Sequence, residues 1–181
     1  MMQIFFLLDD RTFRAPAKNA RANKQLLGKE QIDWLIKELK RSDAIFKFIA
    51  MGGQILNPDK VSENYSKYKK EWKYLLSELD KSGVGGILLL TGDRHFSEVT
   101  MMARDGKYPL YELTCSPLTS SVAKKEVGNN KLRVNGSLIT ERNFSIITIG
   151  SEGEKRFVKM TIYSNSGKPL WEKRINKSEI Y

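Results

Sequence analysis

The sequence is poor in two residue types that often carry chemistry: among its 181 residues it has a single cysteine, Cys115, and a single histidine, His95. One cysteine cannot form an internal disulfide, so cysteine usage does not indicate a redox compartment. A lone cysteine in an apolar strand is typical of core packing. A nucleophilic cysteine would need a base nearby, and the single histidine belongs to the motif described below.

Long hydrophobic runs are also missing. No segment approaches the roughly 20 apolar residues that a membrane-spanning helix needs. The first apolar run, residues 4–8, lacks a basic leader and ends at Asp9 and Asp10 without a small-residue cleavage site, so we predict no signal peptide in this chain. Hydrophobic residues make up 40% and charged residues 29%, which predicts a single globular domain and leaves its localisation open.

Charge of one sign predominates. The 31 basic and 21 acidic residues give a net charge of +10, which would attract phosphate esters, nucleic acid or an acidic membrane surface. A non-catalytic basic binding or interaction module is therefore one hypothesis. The absence of interleaved aromatic and basic recognition residues argues against a nucleic-acid partner. The densest basic group shares a segment with Asp9 and Asp10 and consists of Arg11, Arg14, Lys18, Arg21 and Lys24.

The apolar pattern divides the chain into two parts. In the first part, three apolar strands alternate with two amphipathic helices, an order that predicts a parallel sheet with crossover helices. In the second part, strands follow one another without long helices, and Asn165-Ser166-Gly167 predicts a hairpin turn. The predicted strands are 4–8, 45–50, 87–90, 108–115, 143–149, 157–163 and 169–175, and the predicted helices are 28–41 and about 63–79.

The best chemical signal is the string Gly92-Asp93-Arg94-His95, which directly follows the apolar run 87–90. Active sites of parallel sheets collect at the carboxyl ends of strands. Carboxylate oxygen suits hard ions and imidazole suits borderline ions, so Asp93 and His95 are predicted metal ligands. Taken alone, so short a string favours another interpretation, in which Asp93 caps a helix that begins at His95 or Phe96 and His95 is an ordinary, partly buried histidine.

The wider context changes this weighing, because five blocks occur in the order found in one family. The sequence resembles the alkaline phosphatase D (PhoD-like) metallophosphatases over nearly its whole length, and Asn143-Phe144 and residues 167–172 fit as well. The five blocks are 7–14 (LLDDRTFR), 27–35 (LGKEQIDWL), 46–58 (FKFIAMGGQILNP), 89–98 (LLTGDRHFSE) and 108–120 (YPLYELTCSPLTS).

The resemblance implies a mixed α/β, calcineurin-like metallophosphatase sandwich, of which this chain is the carboxy-terminal half as a single partial domain. It implies hydrolysis of phosphate monoesters and diesters through a two-metal centre, with iron and calcium in characterised members. Asp93 and His95 match the family's last pair of metal ligands. Arg11 and Arg94, and less strongly Arg14, are candidates for holding phosphate oxygens. A structural salt bridge is the alternative for each arginine and the favoured one for Arg14.

The same resemblance predicts that the site is incomplete. The family's other ligands come from motifs upstream of the first block, and two ligands cannot build two metal sites. We therefore expect the chain to be inactive alone. A truncated gene is the favoured explanation; the others are a split gene with an upstream half-domain as partner, and a degenerate paralogue.

Overall fold

A computed structural model describes residues 3–15, 24–59, 64–123 and 127–181. Three residues named above lie outside these ranges: Lys18 and Arg21 of the basic group, and Glu63 at the start of the second predicted helix. The elements are β1 (Gln3–Leu7), α1 (Lys29–Arg41), β2 (Phe46–Ala50), a 3-10 turn (Tyr65–Tyr68), α2 (Lys69–Ser82), β3 (Ile87–Thr91), β4 (Glu98–Arg104), β5 (Lys107–Thr114), β6 (Asn143–Glu152), β7 (Lys155–Ser164), β8 (Pro169–Asn176) and a second 3-10 turn (Lys177–Glu179).

Two sheets form the architecture. The larger has the order β1-β2-β3-β5-β4, in which β1, β2, β3 and β5 are parallel and β4 is antiparallel to β5. The smaller is the antiparallel set β6-β7-β8. This confirms the predicted division into a parallel part with crossover helices and an antiparallel part. The predicted hairpin is also present, with the Gly167 N–H donating to the Ser164 carbonyl at 2.9 Å.

Three layers follow from the two faces of the larger sheet. One face packs against α1 and α2, whose apolar stripes are buried as their spacing predicts; Leu35 and Leu75 lie in this core with Ile49 of β2. The other face packs against the smaller sheet, where Phe48 of β2 meets Met160 of β7. Since β2 and β3 are covered on both sides, their residues are apolar on both faces apart from Lys47 of β2 and Thr91 of β3. None of the described helices is long and apolar enough to cross a bilayer.

The short apolar run 4–8 predicts a strand that is buried on both faces, and this prediction is wrong. Strand β1 lies at the edge of the larger sheet, and Phe5 and Leu7 on one face are 53% and 75% exposed, whereas Phe6 on the other face is buried. The helix layer covers Phe6, whose ring meets Trp34 of α1 edge to face at 6.1 Å. An apolar run therefore shows that a strand is hydrophobic, but it does not show that both of its faces are covered.

A strand was missed between the motif and residue 108. Strand β4, Glu98–Arg104, pairs with β5 through a hairpin whose turn is Asp105-Gly106, and Gly106 has a φ of 64°. An Asp-Gly pair between strands is a strong hairpin signal that could have found this strand. Its presence also contradicts the alternative in which Asp93 caps a helix. The second helix differs in detail, because a 3-10 turn at Tyr65–Tyr68 precedes α2.

Candidate functional site

The carboxyl ends of three neighbouring parallel strands meet at one edge of the larger sheet. After β1, a carboxylate oxygen of Asp10 accepts a hydrogen bond from the Gly53 N–H, in the loop after β2, at 3.2 Å. After β3, the Gly92 N–H donates to the Gly52 carbonyl at 3.0 Å. The absence of a side chain at Gly52 leaves room for the Asp10 carboxylate, since a Cβ at Gly52 would lie 2.7 Å from it. The loops after β1, β2 and β3 are thus joined in sheet order.

The predicted metal ligands lie on the last of these loops. Asp93 is exposed, His95 is half-buried, and their backbones have φ angles of 67° and 57°. Positive φ is uncommon outside glycine, and residues held there cluster at functional sites. The loop is fixed on both sides of the His95 peptide: its N–H donates to Ser116 Oγ at 2.8 Å, and its carbonyl accepts from the Ala123 N–H at 2.9 Å.

The predicted phosphate-binding arginines differ in placement. Arg94 is buried, and its guanidinium carbon lies 5.2 Å from the centre of the Phe96 ring. Arg11 is exposed in the loop after β1, with its Nε 3.8 Å from the Asp10 carboxylate. Arg14 Nε donates to the Tyr68 hydroxyl at 3.0 Å.

A buried polar network that sequence reasoning missed lies directly behind the loop. Glu112 of β5 is fully buried and accepts from the Ile55 N–H at 2.6 Å, the Leu56 N–H at 2.8 Å and the Thr91 hydroxyl at 3.0 Å. Burial raises the pKa of the Glu112 carboxyl to about 7, although these hydrogen bonds oppose the shift. The only signal was a glutamate inside the strand segment Tyr111-Glu112-Leu113.

A second buried carboxylate belongs to the same network. Glu98, at the start of β4, accepts from Gln54 Nε2 at 2.6 Å and from Asn130 Nδ2 at 2.9 Å, and it is paired with Arg133. Gln54 Nε2 also donates to Thr114 Oγ1 at 3.0 Å. Buried charges are stable when they are paired and hydrogen-bonded, as Glu98 is. The loop after β2 and the end of β3 are therefore hydrogen-bonded to buried polar side chains beneath them.

Comparison with known proteins identifies the family. The family model described as PhoD-like phosphatase matches residues 2–155, which is most of the chain. The chain belongs to the PhoD-like phosphatase family. No curated protein matches the sequence.

A solved structure shows the same fold. The structure described as "Structure of PhoD" superimposes with a TM-score of 0.66 at 16% identity, and the match covers 96% of this chain and 42% of that one. The calcineurin-like sandwich expected from the sequence is thus confirmed. The chain spans less than half the length of the PhoD chain that it matches.

The PhoD-like family is metal-dependent in general, so the donor set can be tested against a metal. Asp93 supplies a carboxylate and His95 an imidazole, both of which are suitable ligands. Within residues 3–15, 24–59, 64–123 and 127–181, however, no group of three or more His, Cys, Asp or Glu side chains is arranged to hold an ion. The two residues therefore fit a metal as part of a ligand set.

Proposed function

We propose that this chain is the carboxy-terminal part of a PhoD-like phosphoesterase and contributes Asp93 and His95 to a two-metal centre that hydrolyses phosphate esters. The observation that carries the proposal is the place of both residues on one loop at the carboxyl edge of the parallel sheet. Ligands bind at this edge in open α/β sheets.

The proposal assigns chemistry to four side chains. Asp93 and His95 would each hold one ion, with iron and calcium as the expected pair, and such ions supply Lewis-acid polarisation of the phosphoryl oxygens. Arg11 and Arg94 would bind phosphate oxygens, for which a planar guanidinium is suited. Arg11 is exposed and can turn toward a ligand, whereas Arg94 is held in the loop itself.

The remaining ligands would come from an upstream half-domain, on the same polypeptide or a separate one. Two observations support such a partner. The described residues leave the outer edge of β1 without a paired strand, and Phe5 and Leu7 are exposed beside it. The chain also spans only 42% of the PhoD chain. An exposed apolar edge strand is a surface that another strand can cover.

The experiment compares the 181-residue chain with a longer protein that adds the upstream half of a PhoD-like phosphatase. Both are purified, given iron and calcium, and assayed with a chromogenic phosphate ester. We expect turnover only from the longer protein, and we expect Asp93→Asn and His95→Gln to abolish it. Asp105→Asn is the matched control, because Asp105 is exposed at the opposite end of the sheet.

Two results would contradict the proposal. Turnover by the 181-residue chain alone would show that its own residues complete the site. Full activity of Asp93→Asn in the longer protein would remove the assigned metal ligand. A basic binding module would instead show salt-sensitive affinity for polyanions that is unchanged by Asp93→Asn.

A further inference from the structure

Glu112 of β5 binds the backbone of the loop after β2, in which Gln54 also donates to Glu98 and Thr114. Both oxygens of the Glu112 carboxylate are used: Oε1 accepts from the Ile55 N–H and the Thr91 hydroxyl, and Oε2 accepts from the Leu56 N–H. Glu112 is fully buried. The carboxylate therefore joins the N–H groups of residues 55 and 56 to Thr91 at the end of β3, while the Ile55 carbonyl accepts from Trp72 Nε1 at 2.6 Å.

A second path joins the same two loops. The Gly52 carbonyl accepts from the Gly92 N–H, which immediately follows Thr91. The Thr91 and Thr114 hydroxyls are 2.9 Å apart, and Gln54 donates to Thr114. These contacts close a ring between the loop after β2 and the residue that starts the Asp93–His95 loop. A ring fixes geometry more firmly than one bond can, because no member can shift alone.

The chemistry of the ring requires a carboxylate at position 112. Three donors converge on it, and above its pKa of about 7 the ionised carboxylate accepts at both oxygens. The amide of glutamine would direct its NH₂ group at one of these donors. An apolar side chain would leave the buried Ile55 and Leu56 N–H groups without partners, which is unfavourable. A residue that only filled this part of the core would not need two acceptor oxygens.

We propose that Glu112 is a positioning residue for the Asp93–His95 loop, holding the 52–56 loop and Thr91 together so that Gly52 fixes Gly92. The purpose assigned to Glu112 rests on the proposed metal site, whereas the mechanical coupling can be measured without it. Glu112 acts through Thr91 and Gly52 and is not assigned any contact with substrate or metal.

The test uses amide hydrogen exchange and NMR spectra of the metal-free 181-residue chain at a pH above 7, where Glu112 is ionised. In Glu112→Gln we expect the protection of the Ile55 and Leu56 amides to fall about tenfold or more, as expected for loss of a buried hydrogen bond. The coupling predicts a fall of the same order at Gly92. It also predicts a shift, at fixed pH, of the ring resonances of His95, which are unambiguous because the chain has one histidine.

The chain offers a matched control in Glu71→Gln. The Glu71 carboxylate also accepts from three backbone N–H groups and one hydroxyl, but these belong to Leu26, Leu27, Gly28 and Tyr65. We expect Glu71→Gln to expose those amides and to leave Gly92 and His95 as in the wild type. Equal effects of both variants on Gly92 and His95 would indicate general destabilisation and overturn the proposal.

A second variant keeps the test decisive if Glu112→Gln does not fold. Glu112→Asp retains the charge but is shorter by one methylene, so we expect partial rescue: smaller changes at the same amides and at the His95 ring. Exchange confined to Ile55 and Leu56 in either variant would reduce Glu112 to a loop anchor and overturn the proposal. An inactive longer protein, by contrast, would contradict the proposed function and leave this coupling intact.

Discussion

Gly92 donates its backbone N–H to the carbonyl of Gly52 at 3.0 Å, so the loop that carries Asp93 and His95 is bonded to the loop after the neighbouring strand. Neither residue has a side chain that could separate the two backbones. Most of the interactions that hold the candidate site in place thus come from parts of the chain that carry no ligand, and substitutions in those parts have predictable effects.

Gly86 is a position where only glycine fits. Its φ is 75°, and a Cβ would lie 2.1 Å from the Ile45 carbonyl oxygen. We predict that Gly86→Ala lowers the free energy of unfolding by more than about 2 kcal/mol, because the clash adds to the backbone strain. Gly106→Ala is the matched control: φ is 64° there, but no atom lies within 4 Å of a Cβ. If urea unfolding gave equal losses of unfolding free energy for Gly86→Ala and Gly106→Ala, the predicted clash at residue 86 would be absent.

Glu71 caps the start of α1 from α2. The first residue before α1 is Gly28, which has no capping side chain, and the Glu71 carboxylate instead accepts the N–H groups of Leu26, Leu27 and Gly28. We predict that Glu71→Gln costs about 2 kcal/mol, measured by chemical unfolding. Glu78→Gln, which removes a pair with the exposed Lys81 on the same helix, should cost under about 1 kcal/mol. A greater loss of stability in Glu78→Gln than in Glu71→Gln would contradict the capping role of Glu71.

The ion pair of Glu98 and Arg133 is the most buried one described. Glu98 has no exposed surface, so Arg133→Met would leave a buried charge without its cation, and we predict a loss of about 3 kcal/mol. Arg174→Met removes an exposed pair with Glu152, whose two contacts are 2.6 and 2.9 Å, and should cost much less because water screens the pair. Thermal unfolding of both variants checks the difference, and added salt should reduce only the second effect.

Glu112 should make the stability of the fold depend on pH. Burial raises its pKa from 4.5 to about 7, so between these values the folded chain holds a proton that the unfolded chain has released. Stability from this group is present below pH 4.5 and is lost as the pH rises through 7. Relative to Glu112→Gln, the wild type should lose about 3 kcal/mol across this range in urea unfolding. A constant difference between the two proteins would show that Glu112 does not titrate there.

The hydrophobic pattern alone predicted most of the fold, because each helix and strand that it found has its buried residues at the spacing typical of that element. Strands β2 and β3 are apolar on both faces apart from Lys47 of β2 and Thr91 of β3, and α1 has apolar residues at helical spacing. The pattern failed where burial depends on distant parts of the chain. Nothing in the composition of β1 distinguishes an edge strand from a central one, and β4 follows the motif so closely that its alternation was not recognised.

The candidate site was predictable only where residues adjoin in sequence. Asp93 and His95 lie in one short motif, and the five blocks of family resemblance were needed to favour them as candidate metal ligands. Glu112 acts on Ile55, and Glu98 acts on Gln54 and Asn130, across separations that only strand pairing creates. A glutamate within an apolar strand was a signal, but its partners could not be identified before the register of β3 and β5 was known.

The order β3-β5-β4 gives the segment 92–97 a further property. On leaving β3 the chain passes over the end of β5 before it descends along β4, so this segment is a bridge whose length is set by the width of one strand. An insertion or deletion in it would move β4 out of register and displace Asp93 and His95 at the same time. Variation that preserves this fold should therefore exchange side chains within the bridge and leave its length alone.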